Sequence, residues 1–148
     1  MKFMIIRKAD LETEAGVMPT EQLLQDMIAY NEEMVKAGVM LDGMGLQPTS
    51  KGARVKFDNG RPRVIDGPFA EAKELIAGFS LIEVASRTDA IEWVKRWPPI
   101  DGHGNVEIEI RQVYEAEDFG AEFTPELRST EERLRAEIDE REGAGRKP

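Results

Sequence analysis

The chain opens on Met1-Lys2-Phe3-Met4-Ile5-Ile6, a short apolar run that reads as a first β-strand. Pro19 and Thr20 then open a helix running to Ala37, with Glu21 in its first turn, where an acid complements the helix dipole. Leu23, Met27, Met34 and Val35 recur at helical spacing with Ile28 and Tyr30 flanking that face, and Gly38 supplies the stop. Val39 to Leu46 reads as a second strand, interrupted by Gly43 and Gly45, which mark a bulge or a close backbone approach. Lys51 to Phe57 and Arg63 to Ile65 flank Asp58-Asn59-Gly60, a strong hairpin signal.

Gly78 to Ala85 is the next strand. Asp89 is expected to cap a second helix, with Glu92 completing a capping box; Ala90, Ile91, Val94 and Trp97 form its apolar face, and Pro98-Pro99 ends it. Asn105 to Val113 alternates most clearly, with Val106, Ile108 and Ile110 on one face and Glu107, Glu109 and Arg111 on the other. The succession predicts an α+β domain: a ferredoxin-like, split βαβ antiparallel sheet with both helices on one face. The uncovered face then calls for a partner subunit, so a homodimer is expected.

From residue 119 the pattern thins. Thr124-Pro125-Glu126 starts a helix whose stripe is only Leu127, Leu134 and Ile138, supported by Glu131–Arg135 and Glu137–Arg141 pairs at i,i+4 spacing. The expected organisation is a domain over residues 1–118 and a helical extension over 119–148, with Gly143 to Pro148 disordered.

A formal charge of −9 argues against nucleic acid as a partner, because phosphates would be repelled without a basic patch. Residues 119–148 hold eight acids and six bases, which leaves −7 on residues 1–118. No cysteine is present, so disulfides and thiolate chemistry are excluded, in keeping with a reducing cytoplasm. No run approaches the roughly 18 apolar residues of a membrane span, and the N-terminus lacks a signal-peptide plan.

One histidine and no cysteine do not make a zinc shell, and neither Asp58-Asn59-Gly60 nor Asp101-Gly102-His103-Gly104-Asn105 has calcium-loop spacing. Gly43-Met44-Gly45 lacks the rest of a phosphate loop. No metal or cofactor is therefore expected. Trp93 and Trp97 fit helix–sheet packing, and the seven methionines fit core filling.

The most informative stretch is Asp66-Gly67-Pro68-Phe69-Ala70-Glu71-Ala72-Lys73-Glu74-Leu75-Ile76-Ala77-Gly78-Phe79. A rigid Gly-Pro turn is backed by Glu71, Lys73 and Glu74, which suits a ligand-facing loop and equally suits an exposed loop without a duty. Asp66 is expected to accept hydrogen bonds from its own turn. On the sheet, Glu109 and Arg111 point away from the helices, and Glu83 shares its face with Phe79 and Leu81. In a face-to-face dimer these charges would line a semi-enclosed cavity and become candidates for function. His103, the sole side chain with an unperturbed pKa near neutrality, is a candidate acid or base on a glycine-flanked loop, against the plain alternative of a solvent-exposed histidine.

These pieces resemble the YCII-related family, in its DGPF-domain branch. The resemblance rests on Met1-Lys2-Phe3-Met4, Ala37-Gly38-Val39, Asp66 to Glu74, Ala77 to Val84, Ala90-Ile91-Glu92-Trp93, Pro98 and Val106-Glu107-Ile108…Arg111, in the family's order over about residues 1–118. Ala72 stands where the family commonly has Thr, and spacing to arginine matches Glu109 to the family glutamate. The resemblance implies a ferredoxin-like subunit that dimerises into an α/β barrel with a cavity near the interface. A related YCII branch is thought to use a His-Asp pair in lyase-type chemistry on chlorinated aromatics. The histidine of that pair lies in the first helix, where this chain has only Asp26, so the chemistry does not carry over. DGPF proteins also resemble genomic partners of extracytoplasmic-function sigma factors.

Two readings follow. In the first, a dimeric protein binds a small molecule: Asp66, Glu71, Lys73 and Glu74 rim the pocket, Glu83 and Arg111 line it, and Glu109 and His103 move protons in lyase- or isomerase-type chemistry. In the second, the protein is a non-catalytic sensor or interaction module, linked to sigma-factor regulation.

Overall fold

A computed structural model describes residues 1–145 of the chain. The chain divides into two compact units, Met1–Val113 and Tyr114–Pro148. The first holds six strands, β1 (Lys2–Lys8), β2 (Met40–Gly45), β3 (Ala53–Asp58), β4 (Arg61–Asp66), β5 (Ile76–Glu83) and β6 (Ile108–Gln112). Its helices are α1 (Leu11–Glu14), α2 (Glu21–Lys36) and α3 (Arg87–Val94).

Four strands form one antiparallel sheet in the order β2-β5-β1-β6. Each βα crossover therefore skips a strand, as in a ferredoxin-like subunit. The sheet is open, with β2 and β6 as its edges, and no closed barrel is seen among the described residues. Strands β3 and β4 stand apart as a two-stranded ribbon inserted between β2 and β5. Asn59 and Gly60 close that ribbon with φ of +49° and +80°, the left-handed pair that a two-residue hairpin turn requires.

One sheet face carries the core. Phe3 and Ile5 of β1 and Ile82 of β5 pack against Tyr30 and Met34 of α2 and Ala90 of α3. Both helices thus cover the same face, as the alternation in β6 implied: Ile108 and Ile110 join this cluster and Glu109 does not. The Tyr30 hydroxyl donates to the Trp93 carbonyl at 2.9 Å, and its ring meets Trp97 edge-on at 5.7 Å, which joins α2 to the end of α3. Burial pushes the Tyr30 hydroxyl up to about 12, against a smaller lowering by the charge of Arg96.

Helix α2 begins where its cap was expected, with the Thr20 side chain accepting from Leu23 N–H, and ends before Gly38 at φ +73°. Helix α3 differs. Its N-cap is Ser86, whose hydroxyl oxygen accepts from the Asp89 N–H at 3.1 Å, so Asp89 is the third helical residue and not the cap. Both residue types cap helices; here Val84, just past the end of β5, is buried in the core, and the helix starts at Arg87 with Ser86 as its cap.

In the second unit, α4 (Pro125–Gly145) starts after the expected Thr124 cap. Arg135 pairs with Glu131 as predicted, whereas Glu137 pairs with Arg133 and not with Arg141. Gly143 to Gly145 are helical rather than disordered; the remainder of that expectation, residues 146–148, lies outside the described residues. No helix among the described residues is long and apolar enough to cross a membrane.

Candidate functional site

The sheet face opposite the helices is ordered by the strand register. Ile6 of β1 sits between Phe79 of β5 and Glu109 of β6, and Met44 of β2 continues that row beyond Phe79. One row along, Met4 sits between Leu81 and Arg111, with Asp42 at the β2 end. The result is a floor of Met4, Ile6, Phe79 and Leu81 bordered on the β6 edge by a carboxylate and a guanidinium. These two charged residues are i and i+2 on one strand, about 7 Å apart at the backbone. Glu109 is half-buried and Arg111 exposed. Glu83 is exposed and faces Lys2 across the β1–β5 pair, two strands and one row from Arg111, a separation of about 12 Å.

The signature loop occupies the end of the sheet nearest the Phe79–Glu109 row. Its anchor is Thr49, on the 3-10 turn Thr49–Lys51. The Thr49 hydroxyl donates to Glu14 Oε2 at 2.6 Å and accepts from the Phe69 N–H at 3.0 Å, while Thr49 N–H donates to Glu14 Oε1 at 3.2 Å. Gly67 N–H donates to the Gly52 carbonyl at 3.0 Å. A β-carbon at Gly67 would overlap the Thr49 carbonyl oxygen, so only glycine fits there. Phe69 lies under Arg54, whose guanidinium carbon is 3.8 Å from the ring centroid. Asp66 makes no side-chain hydrogen bond among the described residues, which corrects the expectation that it closes its own turn; Thr49 and Gly67 hold the loop. Asp66, Glu71, Lys73 and Glu74 are all exposed along its surface.

His103 is exposed too. Gly102 and Gly104 adopt left-handed conformations (φ +59° and +84°) and carry His103 to φ +54° between them, aiming its ring at Glu12 of α1 with Nε2 2.8 Å from Oε2. No hydrogen bond or ion pair among the described residues joins His103 to Glu109 or Arg111.

A second charged group lies beneath this loop. Asp101 is 5% exposed and accepts from Arg7 Nε at 3.1 Å, Arg7 Nη2 at 2.6 Å and Trp97 Nε1 at 2.9 Å. Arg7 also donates to Asp10 Oδ2 at 3.2 Å and to the Lys8 carbonyl at 2.9 Å. Burial pushes the Asp101 carboxyl up, but the hydrogen bonds from Arg7 and Trp97 and the charge of Arg7 outweigh it and hold it below its ordinary value. For Asp10, burial is likewise outweighed, by the Thr13 N–H and by Arg7. Hydrogen bonding to Asp101 raises Arg7 further, against the cost of its own burial. The arrangement is a hydrogen-bonded ion network, and no buried side-chain nitrogen or oxygen among the described residues lacks a partner.

A shallow recess of about 390 Å³ lies on the helix side, between Val39, Val84, Asp89, Glu92, Trp93 and Arg96. None of the candidate site residues named from the sequence lines it. Arg96 covers the Trp93 ring at 4.3 Å and pairs with Glu33.

A family profile described as YCII-related domain matches residues 1–117. The chain belongs to the YCII-related domain family. A curated relative, an uncharacterised protein of Rhizobium meliloti (strain 1021), is 36% identical over 75 residues. That match spans 51% of this chain and 60% of the relative's length. Among solved structures, the chain is similar to a 5-chloro-2-hydroxyhydroquinone dehydrochlorinase from Burkholderia phenoliruptrix AC1100 in complex with 2,5-dihydroxybenzoquinone. That similarity has a TM-score of 0.40 and 13% identity, and covers 81% of this chain and all of the other.

Within this YCII-related domain, the four-residue helix α1 is the feature that periodicity missed. Its acids alternate in duty: Asp10 caps the helix and meets Arg7, Glu12 meets His103, and Glu14 meets Thr49. The helix thus fastens the histidine loop to the signature loop. The readable signal was Asp10 with Thr13, a capping pair whose mutual bonds are 2.8 and 2.9 Å.

Proposed function

We propose that this YCII-related protein, of the DGPF-domain branch, works as a cytoplasmic homodimer whose two sheets face each other and enclose a small organic anion. The observation that carries the reading is the apolar floor of Met4, Ile6, Phe79 and Leu81 with Glu109 and Arg111 side by side on its edge. Ile6 is already buried and Met4, Phe79 and Leu81 are half-buried, so part of this floor still meets water; a second sheet laid over it would cover that remainder and desolvate both charged groups at once. Arg111 would then hold a carboxylate or phenolate by charge-assisted hydrogen bonds. Glu109, in a drier setting than bulk water, would take a proton from the bound molecule, the step that opens lyase- and isomerase-type reactions. The exposed Glu71, Lys73 and Glu74 belong to the rim, with Asp66 at its foot; Glu83 closes the far end.

The test uses benzoate as a probe, titrated against the dimer and followed by amide chemical shifts. Shifts centred on β5 and β6, abolished by Arg111→Ala and retained in Glu109→Gln, are expected. Shifts elsewhere, or unaffected by Arg111→Ala, would overturn the reading. The non-catalytic alternative, a sensor or interaction module, is favoured by the solvent exposure of every signature-loop charge. It predicts that a small anion with an acidic C–H, such as pyruvate, binds without taking up deuterium from deuterated water faster than in buffer alone.

A further inference from the structure

The register of β3 and β4 sorts their side chains onto two unlike faces. Val55 lies opposite Val64 and Phe57 opposite Pro62, so one face of the ribbon is apolar. Lys56 lies opposite Arg63 and Asp58 opposite Arg61, with Arg54 at the root, so the other is basic. At its root the basic face meets the signature loop, where Arg54 stacks on Phe69, while Lys56, Arg61 and Arg63 beyond it stay exposed. The apolar face points outward, with Val55, Phe57 and Val64 exposed to 54, 66 and 65%. A two-stranded hairpin alone is marginal in water, and one that shows its apolar side to solvent is doubly unfavourable. The root, in contrast, is tightly built on Gly67, Thr49 and Phe69.

Charge indicates what covers it. Residues 53–66 hold four bases against two acids, whereas the rest of the chain holds 16 bases against 27 acids, or −11. A cationic arm on a strongly anionic body is complementary to another body of the same kind. Nucleic acid is a poorer match, because the arm's four cations share the ribbon with two acids and an apolar face, and the body behind it, at −11, repels phosphate. The ribbon leaves the sheet beside Gly45 and Gly78, at the end nearest the Met44–Phe79–Ile6–Glu109 row. The open sheet face offers an apolar seat flanked by Asp42 and Glu83.

We propose that the β3–β4 hairpin is an exchanged arm: each copy lays Val55, Phe57, Pro62 and Val64 across the rim of the other copy's open sheet face, near its Met44 and Phe79. The arm rests on the dimer of the proposed function but not on its ligand. Val55, Phe57 and Val64 alone offer on the order of 300 Å² of apolar surface. Exchanged in both directions against an equal area, that comes to about 1,200 Å², the lower bound for a specific interface.

Photo-crosslinking tests it directly. The full chain carrying p-benzoylphenylalanine at position 57, mixed with an isotope-labelled unmodified copy, should crosslink between copies to peptides bearing Met44 or Phe79. Crosslinks only within one chain, or to other surfaces, overturn the proposal. In parallel, the Phe57→Ser, Val64→Ser double variant should raise the dimer dissociation constant at least a hundredfold with an unchanged circular dichroism spectrum. An unchanged constant overturns the proposal, as does a monomeric parent protein, including one that binds phosphatidylglycerol vesicles or duplex DNA as a monomer. Benzoate binding bears on the ligand alone, so a dimer that crosslinks through the arm and ignores benzoate would leave the arm standing and remove the ligand.

Discussion

Replacing Asp101 by alanine removes the acceptor for three N–H groups at once, two from Arg7 and one from Trp97. The Arg7 and Asp101 side chains are only 12 and 7% exposed, so water does not readily replace the lost partner. Breaking one side of a buried ion pair typically costs 3–5 kcal/mol, and Arg7 keeps Asp10 and the Lys8 carbonyl, which places Asp101→Ala near the lower end, about 3 kcal/mol. For a folding unit of this size the melting temperature should fall by about 10 °C.

Thermal and urea unfolding of the parent, Asp101→Ala, Asp101→Asn and the Arg7→Met, Asp101→Leu double variant form the assay. The double variant leaves no orphaned charge and should recover most of the loss. The pH dependence gives an independent readout. Because the folded-state pKa of Asp101 lies below its unfolded value of 3.8, the unfolded chain binds the proton first. This contribution is therefore fully present above about pH 4 and is lost as the pH falls through the folded value. Asp101→Asn should flatten that acid limb, leaving the part due to Asp10, which is also lowered. A melting temperature for Asp101→Ala within about 2 °C of the parent would refute the argument that this network fastens the 101–105 loop to β1.

Two further outcomes concern the signature loop. Asp66→Ala should leave stability within about 0.5 kcal/mol of the parent in urea unfolding, as for an exposed residue with no side-chain bond among the described residues, whereas Thr49→Val should cost about 2 kcal/mol by removing the hydroxyl donor to Glu14 Oε2 and orphaning the Phe69 N–H. Gly67→Ala should cost about 3 kcal/mol in the same measurement, because its β-carbon must displace the Thr49 carbonyl; a cost under about 1 kcal/mol would show that the loop yields freely.

Much of the architecture was legible in the chain because periodicity is a local property. Alternation in β6 placed Ile108 and Ile110 inward and Glu109 and Arg111 outward, and the spacing of Leu23, Met27 and Met34 placed α2. The Asn59-Gly60 turn required positive φ at both residues and therefore a hairpin. Local signals failed where two of them competed or where the element was too short to show a period. Ser86 took the cap that Asp89 also suited, and α1 has four residues and no buried side chain. The opposed faces of the β3–β4 ribbon, by contrast, emerge only once each residue is matched with its cross-strand partner.

The amino-acid sequence by itself determined the strand and helix order, the sheet face that must be apolar, the family and the glycine-rich turns, since each depends on neighbours a few residues away. Only the tertiary structure decided which charges are partnered. Arg7 and Asp101 are 94 residues apart, and nothing in either neighbourhood distinguishes them from the solvated charges around them until the sheet brings β1 against the loop before β6. The Glu14–Thr49–Phe69 chain, spanning 35 and 20 residues, is of the same kind. Long-range pairing of charges is set by desolvation and geometry in the folded state, and neither quantity has a period along the chain.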